Sequence, residues 1–490
     1  MGPTPRFRKA RDRARPARLD SGAAKWDVRG WIARVLAACA VLPLARPAEA
    51  QTGGNIPDIL RQDSRLNQQW MAGNYVDLNA GAYATDNARR TSSQTVSDTV
   101  VSAGMSVNTT HQGTRLDYDA YGDLNYQKYI DNTYRAEPYG VLDASASYAF
   151  IPQAFDWVLR ESFNRLLLDP TQSESLNNIE TYNYFTTGPR LQWHLSPTTS
   201  VVVQATYSRL NSLNSANIEA NQVDLNGARY GANGSLIHKI SRRGKLSLNL
   251  SSYRVEYADS SLNSDFDRSE ATIGYDTRIS RTTFAAEVGA SRIRQQDHTH
   301  YGPLARIGAG RRISPSSSVE LSFTRQTVDA ADIIQYEPAA AWYESMEPLR
   351  VAARDPLVDT TGMLVWQFER PRTRFGLGVY RSRERYTVSS EFNRDVTGAY
   401  AFYEWRLRRA WSIGLSARFE GQHFNGSGHS DNEVDLGASL NWDVGRRLRL
   451  SFRAERFDRG GGPTLYNYKE NRIGIQLGYA LLRSHEGGFR

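Results

Sequence analysis

Beyond residue 39 the chain has no cysteine, so disulfides, iron–sulfur clusters and thiol nucleophiles are excluded from everything downstream. After residue 50 it also lacks any apolar run near the ~18 residues a membrane-spanning helix needs. A mean hydropathy of -0.56 and 23% charged residues point the same way and exclude a helical membrane protein. Any bilayer span has to be made of strands. Nor is there a lasting excess of charge. The formal +8 resembles a nucleic-acid footprint, but the first 50 residues hold eleven of the 60 basic and four of the 52 acidic residues. That leaves 49 against 48, a charge of +1, and the nucleic-acid reading disappears.

Residues 1–50 read as a signal peptide: an Arg-rich start, an apolar stretch over 31–44, then Ala48-Glu49-Ala50 as a small-residue cleavage site. The basic part is long for a signal, which a translation start nearer Val28 would explain. Leu36-Ala37-Ala38-Cys39 resembles a lipoprotein processing box, but Arg34 interrupts the apolar run before it and the better site lies downstream. Residues 51–73 form a periplasmic N-terminal segment. Within it, 57–70 suits one short helix with Leu60, Leu66 and Trp70 partly on one side.

From residue 74 the organising signal is a series of tight polar turns, each flanked by segments of alternating apolar and polar residues. They fall at 111–113, 152–154, 196–199, 241–244, 280–282, 314–317, 371–372, 408–410 and 445–446. From about 112 to about 445 there are eight intervals, so the spacing averages about 42 residues, room for two strands and a longer loop. Asn/Asp/Ser-rich stretches at 86–94, 169–178, 211–221 and 425–432 lie between the turns. Nine turns join eighteen strands, and one more at each end, 75–85 and 471–482, makes about twenty (18 to 22). The fold class is therefore all-β: a transmembrane antiparallel up-and-down β-barrel over 74–483, with tight periplasmic turns, longer extracellular loops and a periplasmic tail at 484–490.

Parity assigns the faces. In Val319-Glu320-Leu321-Ser322-Phe323-Thr324 apolar and polar residues alternate strictly, and Leu448, Leu450 and Phe452 alternate with Arg449, Ser451 and Arg453. A soluble β-sandwich shares this alternation. The signal peptide, strand length, turn asymmetry and last strand favour the barrel. In that strand Arg472-Ile473-Gly474-Ile475-Gln476-Leu477-Gly478-Tyr479 resembles the C-terminal assembly signal of outer-membrane proteins, with Gly474, Leu477 and Tyr479 as its marks, although residues continue past Leu482. Tyr75, Tyr126, Tyr129, Tyr207, Tyr400, Tyr403 and Tyr479 sit near strand ends, where interfacial girdles would place them.

The inferred lumen carries both signs of charge: Asp117, Asp119 and Asp123 early, Arg190, Arg278, Glu287, Arg306, Glu320 and Arg374 in the middle, Arg418, Glu420, Arg449, Arg453 and Glu455 late. Such a set can line a wet, selective path, while any single member is more simply a solvated or paired wall charge. The longest loop, 329–358, holds Ile333-Ile334, Trp342-Tyr343, Met346 and Leu349 among acids, and a loop of that length and apolarity is expected to fold inward. Its candidate constriction residues are Asp332, Glu337, Trp342, Tyr343, Glu344 and Glu347.

No catalytic constellation can be built. His298-Thr299-His300, read as a loop, could bind a metal with a third ligand, but a solvated pair is the simpler reading. His111, His194 and His423 have no acid or Ser partner by spacing. Gly460-Gly461-Gly462-Pro463 is a hinge without the strand-to-helix context of a phosphate loop. We expect no enzyme activity, no cofactor and no metal.

At the end of the first strand, Tyr83-Ala84-Thr85-Asp86-Asn87 gives an aromatic followed by Thr-Asp-Asn. On this motif and the repeated Ser/Arg turns, the chain resembles the β-barrel porin 2 family, which includes members associated with exopolysaccharide production. The resemblance implies an outer-membrane channel taking part in exopolysaccharide export. Expected partners are outer-membrane lipid and lipopolysaccharide, the barrel assembly machinery, a glycan and a periplasmic polysaccharide export protein, with no nucleic acid. A lumen lined by Tyr, Asn, Asp and Arg suits a neutral or weakly charged glycan and would also pass small solutes. The alternatives are a general or selective diffusion porin, and a barrel enzyme or loop-based adhesin. The expected location is the outer membrane of a Gram-negative bacterium after cleavage near Ala50.

Overall fold

A computed structural model describes residues 74–213, 225–259, 264–296, 298–335, 355–388, 390–462 and 466–483. The signal peptide, the 57–70 helix, the 484–490 tail, and Glu337, Trp342, Tyr343, Glu344, Met346, Glu347 and Leu349 lie outside the described residues.

The first ten strands are β1 (Tyr75–Thr85), β2 (Asp98–Gln112), β3 (Leu116–Tyr129), β4 (Glu137–Ile151), β5 (Phe155–Leu167), β6 (Ile179–Ser196), β7 (Thr199–Ser212), β8 (Gly227–Lys239), β9 (Gly244–Tyr257) and β10 (Phe266–Ile279). The second ten are β11 (Thr282–Gln295), β12 (His298–Ser314), β13 (Ser317–Val328), β14 (Leu357–Arg370), β15 (Thr373–Tyr386), β16 (Arg394–Arg408), β17 (Trp411–Phe424), β18 (Ser430–Val444), β19 (Leu448–Gly460) and β20 (Tyr468–Arg483). Each pairs antiparallel with the next, and β1 pairs with β20, so the 20-stranded sheet closes on itself. Closure removes every sheet edge, which an isolated sheet would leave as unpaired amides and carbonyls.

All nine expected turns are present, two to four residues long, and they gather at one rim, the turn end. Four are preceded by a register shift, between Ala149/Ile151, His194/Ser196, Arg312/Ser314 and Arg406/Arg408, the one-residue bulge that lets a short turn match strand twist. The other rim, the loop end, carries longer connections, 329–356 the longest, with one exception: two residues join β11 to β12. β1 begins and β20 ends at the turn end. Two strand limits differ from the sequence reading. β18 starts at Ser430, within the expected 425–432 loop, because Asp431 and Asn432 pair with Gln422 and Gly421. β20 extends back to Tyr468, where Arg459 is its partner on β19.

Strands of 11 to 18 residues exceed the about 9–11 needed to cross an apolar layer. Their outward positions are apolar and bare: Leu250, Ile273, Leu321, Leu415 and Ile473 are all exposed. The six described tryptophans, Trp157, Trp193, Trp366, Trp405, Trp411 and Trp442, lie within a few residues of tight turns, four are among the exposed large apolar side chains, and Trp411 and Trp442 stack at 5.2 Å. All six described tryptophans thus belong to an aromatic girdle at the turn end, beside exposed Tyr148, Phe150, Phe284 and Tyr479. Of the tyrosines expected in girdles near strand ends, Tyr126, Tyr207 and Tyr479 are exposed, but Tyr129 and Tyr400 are buried in apolar clusters, because their parity turns them into the lumen.

The Tyr83–Asn87 motif forms the seam. Thr85 Oγ1 donates to Glu470 Oε1 at 2.7 Å, Asp86 accepts the Asn471 amide at 2.7 Å and its Nδ2 at 2.6 Å, and Asn87 Nδ2 donates to Lys469 O at 2.9 Å. The motif therefore ends β1 and ties it to β20. Gly474 sits opposite Tyr83, where an added Cβ would lie 2.8 Å from the Tyr83 Cβ, so the close approach of first and last strands requires glycine.

Candidate functional site

The positions facing the lumen follow from parity anchored on observed contacts. Asp123 accepts Ser106 Oγ at 3.1 Å across β2 and β3, and Arg306 Nη1 donates to Glu287 at 3.0 Å across β11 and β12. On this parity all fourteen charged residues singled out in the sequence lie on the lumen side. Near the turn end Asp117 accepts the Gly113 amide at 2.9 Å, Asp119 accepts Ser145 Oγ, and Arg190 pairs with Asp156 at 2.7 Å. Arg449 pairs with Asp443 at 2.7 Å, and Arg374 bridges Glu369 at 3.3 Å and Glu404 at 3.4 Å. Arg278 and Arg453 are exposed, and Glu320 and Glu455 are half-buried. Glu287, Arg418 and Glu420 are buried.

Toward the loop end the lumen changes character because chain from elsewhere enters it. The 168–178 connection leaves β5 and reaches inward past β2 and β3 to β19. Arg459 of β19 donates to Gln172 O at 2.5 Å and Pro170 O at 2.9 Å while holding Asp431 at 2.6 Å. Arg90, in the connection after β1, joins Glu470 at 2.8 Å to Glu174 at 3.2 Å. The segment is stiffened from within, Asn178 donating to Asp169 O at 2.8 Å and Ser173 O at 3.0 Å. Its Leu176 packs with Ala88, Val100, Tyr129 and Tyr134. Beneath it Arg418 bonds Asp435 at 2.7 Å and Glu433 at 3.1 Å, Tyr468 donates to Glu433 at 3.2 Å, and Gln422 donates to Glu420 at 2.7 Å.

A second segment enters from β13. Helix α1 (Ala330–Ile334) starts in a reciprocal cap in which Asp329 accepts the Asp332 amide at 2.9 Å and the Asp332 carboxylate accepts the Asp329 amide at 3.3 Å. Asp332 is gripped by Arg229 of β8 at 2.9 Å and Arg268 of β10 at 2.5 Å, and the Arg229 guanidinium lies 3.4 Å over the Tyr253 ring. At its far end Arg160 of β5 donates to Gln335 O at 3.3 Å. Ala330, Ile333 and Ile334 join Leu166, Leu168, Tyr182, Tyr184, Tyr253 and Phe266 in an apolar cluster on the inner wall, with Tyr182 at 0% exposure. The two segments thus meet at β5, one reaching from β13 and the other leaving for β19.

Electrostatics matches the geometry. Burial pushes the Glu174 carboxyl up, but Arg418, Arg90 and Arg459 outweigh it and hold it below the usual carboxylate range. Burial acts likewise on Asp332, and Arg229 and Arg268 again win, leaving it depressed. Asp329 goes the other way: burial and the neighbouring Asp332 charge raise it more than the two arginines lower it. Both entering segments are therefore held by ionised carboxylates clamped between arginines. A buried carboxylate without such partners would take up a proton instead.

Of the constriction candidates only Asp332 is described, and it lies at this clamp. His298 and His300 stand in β12 rather than in a loop, on one face and exposed, since Gln295 and Ile293 of β11 pair with them. Among the described residues no group of three or more His, Cys, Asp or Glu could hold a metal. Sequence reasoning missed Arg90, Glu174, Glu470, Arg459, Asp431, Glu433, Arg229 and Arg268. The alternation of Asp431, Glu433 and Asp435 with Asn432, Val434 and Leu436 carried a signal for two of them, Asp431 and Glu433.

Fold and site together define a closed, up-and-down 20-stranded antiparallel β-barrel whose lumen is entered at one end by two of its own connections. No family model and no curated protein matches the chain. Among solved structures it is similar to the siderophore receptor PirA from Pseudomonas aeruginosa, with 12% identity over 84% of this chain and 80% of that chain and a TM-score of 0.44. It is also similar to OccK2 from Pseudomonas aeruginosa (11%, 84% and 98%, TM-score 0.38) and to PirA from Acinetobacter baumannii (8%, 84% and 81%, TM-score 0.47). The barrel itself rests on this chain's own strand pairing.

Proposed function

We propose that this protein is a gated outer-membrane channel of a Gram-negative cell, exporting a neutral or weakly charged surface polysaccharide. The bare apolar outer wall supports the membrane placement, since a water-soluble barrel would not leave its outward leucines and isoleucines uncovered. Short turns then face the periplasm and the loop end faces outward. The observation that carries the gated-channel reading is the ionic clamp on the two entering segments. A permanent plug could be packed with apolar side chains alone, whereas paired charges can exchange protein partners for water when the segments withdraw.

Export of exopolysaccharide, in place of passage of small solutes, rests on the Tyr83–Asn87 resemblance and on a lining of both charge signs, which favours no single kind of ion. In this reading the β20 residues Gly474, Leu477 and Tyr479 are recognised by the barrel assembly machinery. A periplasmic polysaccharide export protein delivers the glycan to the turn end. Deleting the gene and measuring surface polymer and small-solute uptake separates the readings: an exporter loses polymer and keeps uptake. A large constitutive conductance in planar bilayers with no polymer phenotype would establish a diffusion porin instead.

A further inference from the structure

The outer face of β13, β14 and β15 carries a feature that the conduit does not use. Reading across these strands from the middle of the wall toward the loop end, Leu321, Leu364 and Val379 form one row, all exposed. The next row on the same face is Phe323, Gly362 and Arg381, and the one after it is Arg325, Thr360 and Arg383. Gly362 has no atom within 4 Å of the position its Cβ would take, so the middle row is a notch floored by glycine and walled by a phenyl ring and a guanidinium. Strand spacing sets Arg325 and Arg383 about 10 Å apart, with the Thr360 hydroxyl between them accepting from Arg325 at 3.3 Å.

Three arginines, Arg325, Arg381 and Arg383, converge around this notch. Some outward basic residues elsewhere have acid partners, Arg254 with Glu256 at 2.8 Å and Arg456 and Lys469 sharing Asp458 at 3.5 and 3.6 Å, while Arg292 lies over the Tyr301 ring. Here Asp395 serves Arg383 at 3.2 Å and Arg385 at 2.7 Å, whereas Arg325 and Arg381 have no ion-pair partner among the described residues.

We propose that this notch binds a phosphorylated glycolipid of the outer leaflet, its acyl chains on the Leu321–Leu364–Val379 row, its sugar headgroup over Gly362 and its phosphates on Arg325, Arg381 and Arg383. Guanidinium groups suit phosphate because they offer paired donors in a plane. A soluble anion has no use for the apolar row directly below the arginines, which is why the ligand is a lipid. The site rests on the membrane placement proposed above.

The test reconstitutes the full-length protein in phosphatidylcholine nanodiscs and measures retention of diphosphoryl lipid A. Arg325→Gln/Arg381→Gln/Arg383→Gln should weaken retention about a hundredfold, about fivefold per arginine. Gly362→Trp, which fills the notch and keeps the charge, should also abolish it, and Arg254→Gln should not. Heat-modifiable electrophoretic mobility checks that each variant is a folded barrel. Equal retention of dephosphorylated lipid A, or displacement by equimolar inorganic phosphate, overturns the proposal. So does normal insertion with retention unchanged in both variants. Failure of the wild type to insert at all sinks the membrane reading instead.

Discussion

On the lumen wall near the loop end, Tyr182, Glu420 and Glu470 are no more than 1% exposed. Near the turn end Asp117, Asp119 and Arg453, on the same inward parity, keep contact with water. The backbone is alike at both levels, an antiparallel ladder with side chains alternating in and out. What differs is that 168–178 and α1 enter at one level and nothing described enters at the other. Charges at the loop end must find partners because water is excluded, hence the networks around Arg418, Arg459 and Arg268. At the turn end most sit singly or in pairs. An inward polar residue is thus wet or dry according to distant chain, and the two ends should respond differently to mutation.

The largest difference should come from Arg459→Ala. It leaves Asp431 buried without its ion partner and frees the Pro170 and Gln172 carbonyls, at a cost to the closed arrangement of about 3–5 kcal/mol. Planar-bilayer recordings should then show sustained openings where the parent is mostly shut. An unchanged conductance would mean that the 168–178 segment does not obstruct the lumen. Ile334→Ala removes apolar packing from the other segment, at about 2–5 kcal/mol. It should raise conductance in the same direction, with a lower urea midpoint followed by electrophoretic mobility.

Acid sharpens the comparison further. Glu174 and Asp332 are depressed in the closed state, so their stabilisation is complete above the unfolded carboxylate range and is lost as pH falls through their lower folded values. Asp329 is raised, so protonation relieves it and opposes that trend. The expected result is a closed channel with flat open probability from pH 8 to 5, opening only below the ordinary carboxylate range. Opening centred near neutrality would contradict the clamp. The smallest effect is expected at the turn end: Asp119→Asn should alter stability by about 1 kcal/mol at most and shift cation-over-anion preference in reversal-potential measurements without changing how often the lumen is open.

Much of the barrel was legible in the chain itself. Turn chemistry is local and strand alternation has a period of two, so all nine turns, the first strand and the lumen side of the fourteen charged residues could be read residue by residue. Tyr129 and Tyr400 were misplaced because aromatic residues near strand ends suit either face, and only register decides between them. His298 and His300 were read as loop because the β11–β12 connection is two residues long at the rim where the others are longer.

Sequence alone determined the strand count and the alternation of faces, since each depends on neighbours or on a fixed period, whereas the seam that Tyr83–Asn87 makes with β20 spans some 385 residues and belongs to the closed barrel. Only the tertiary structure decided which inward charges are dry. The 168–178 stretch is short, polar and unremarkable as a string, and its acceptance by Arg459 spans 287 residues to Gln172. Likewise Asp332 meets Arg229 across 103 residues. Such contacts form only because closing the barrel brings the loop ends of distant strands around one lumen, and no local pattern records which wall a loop will reach.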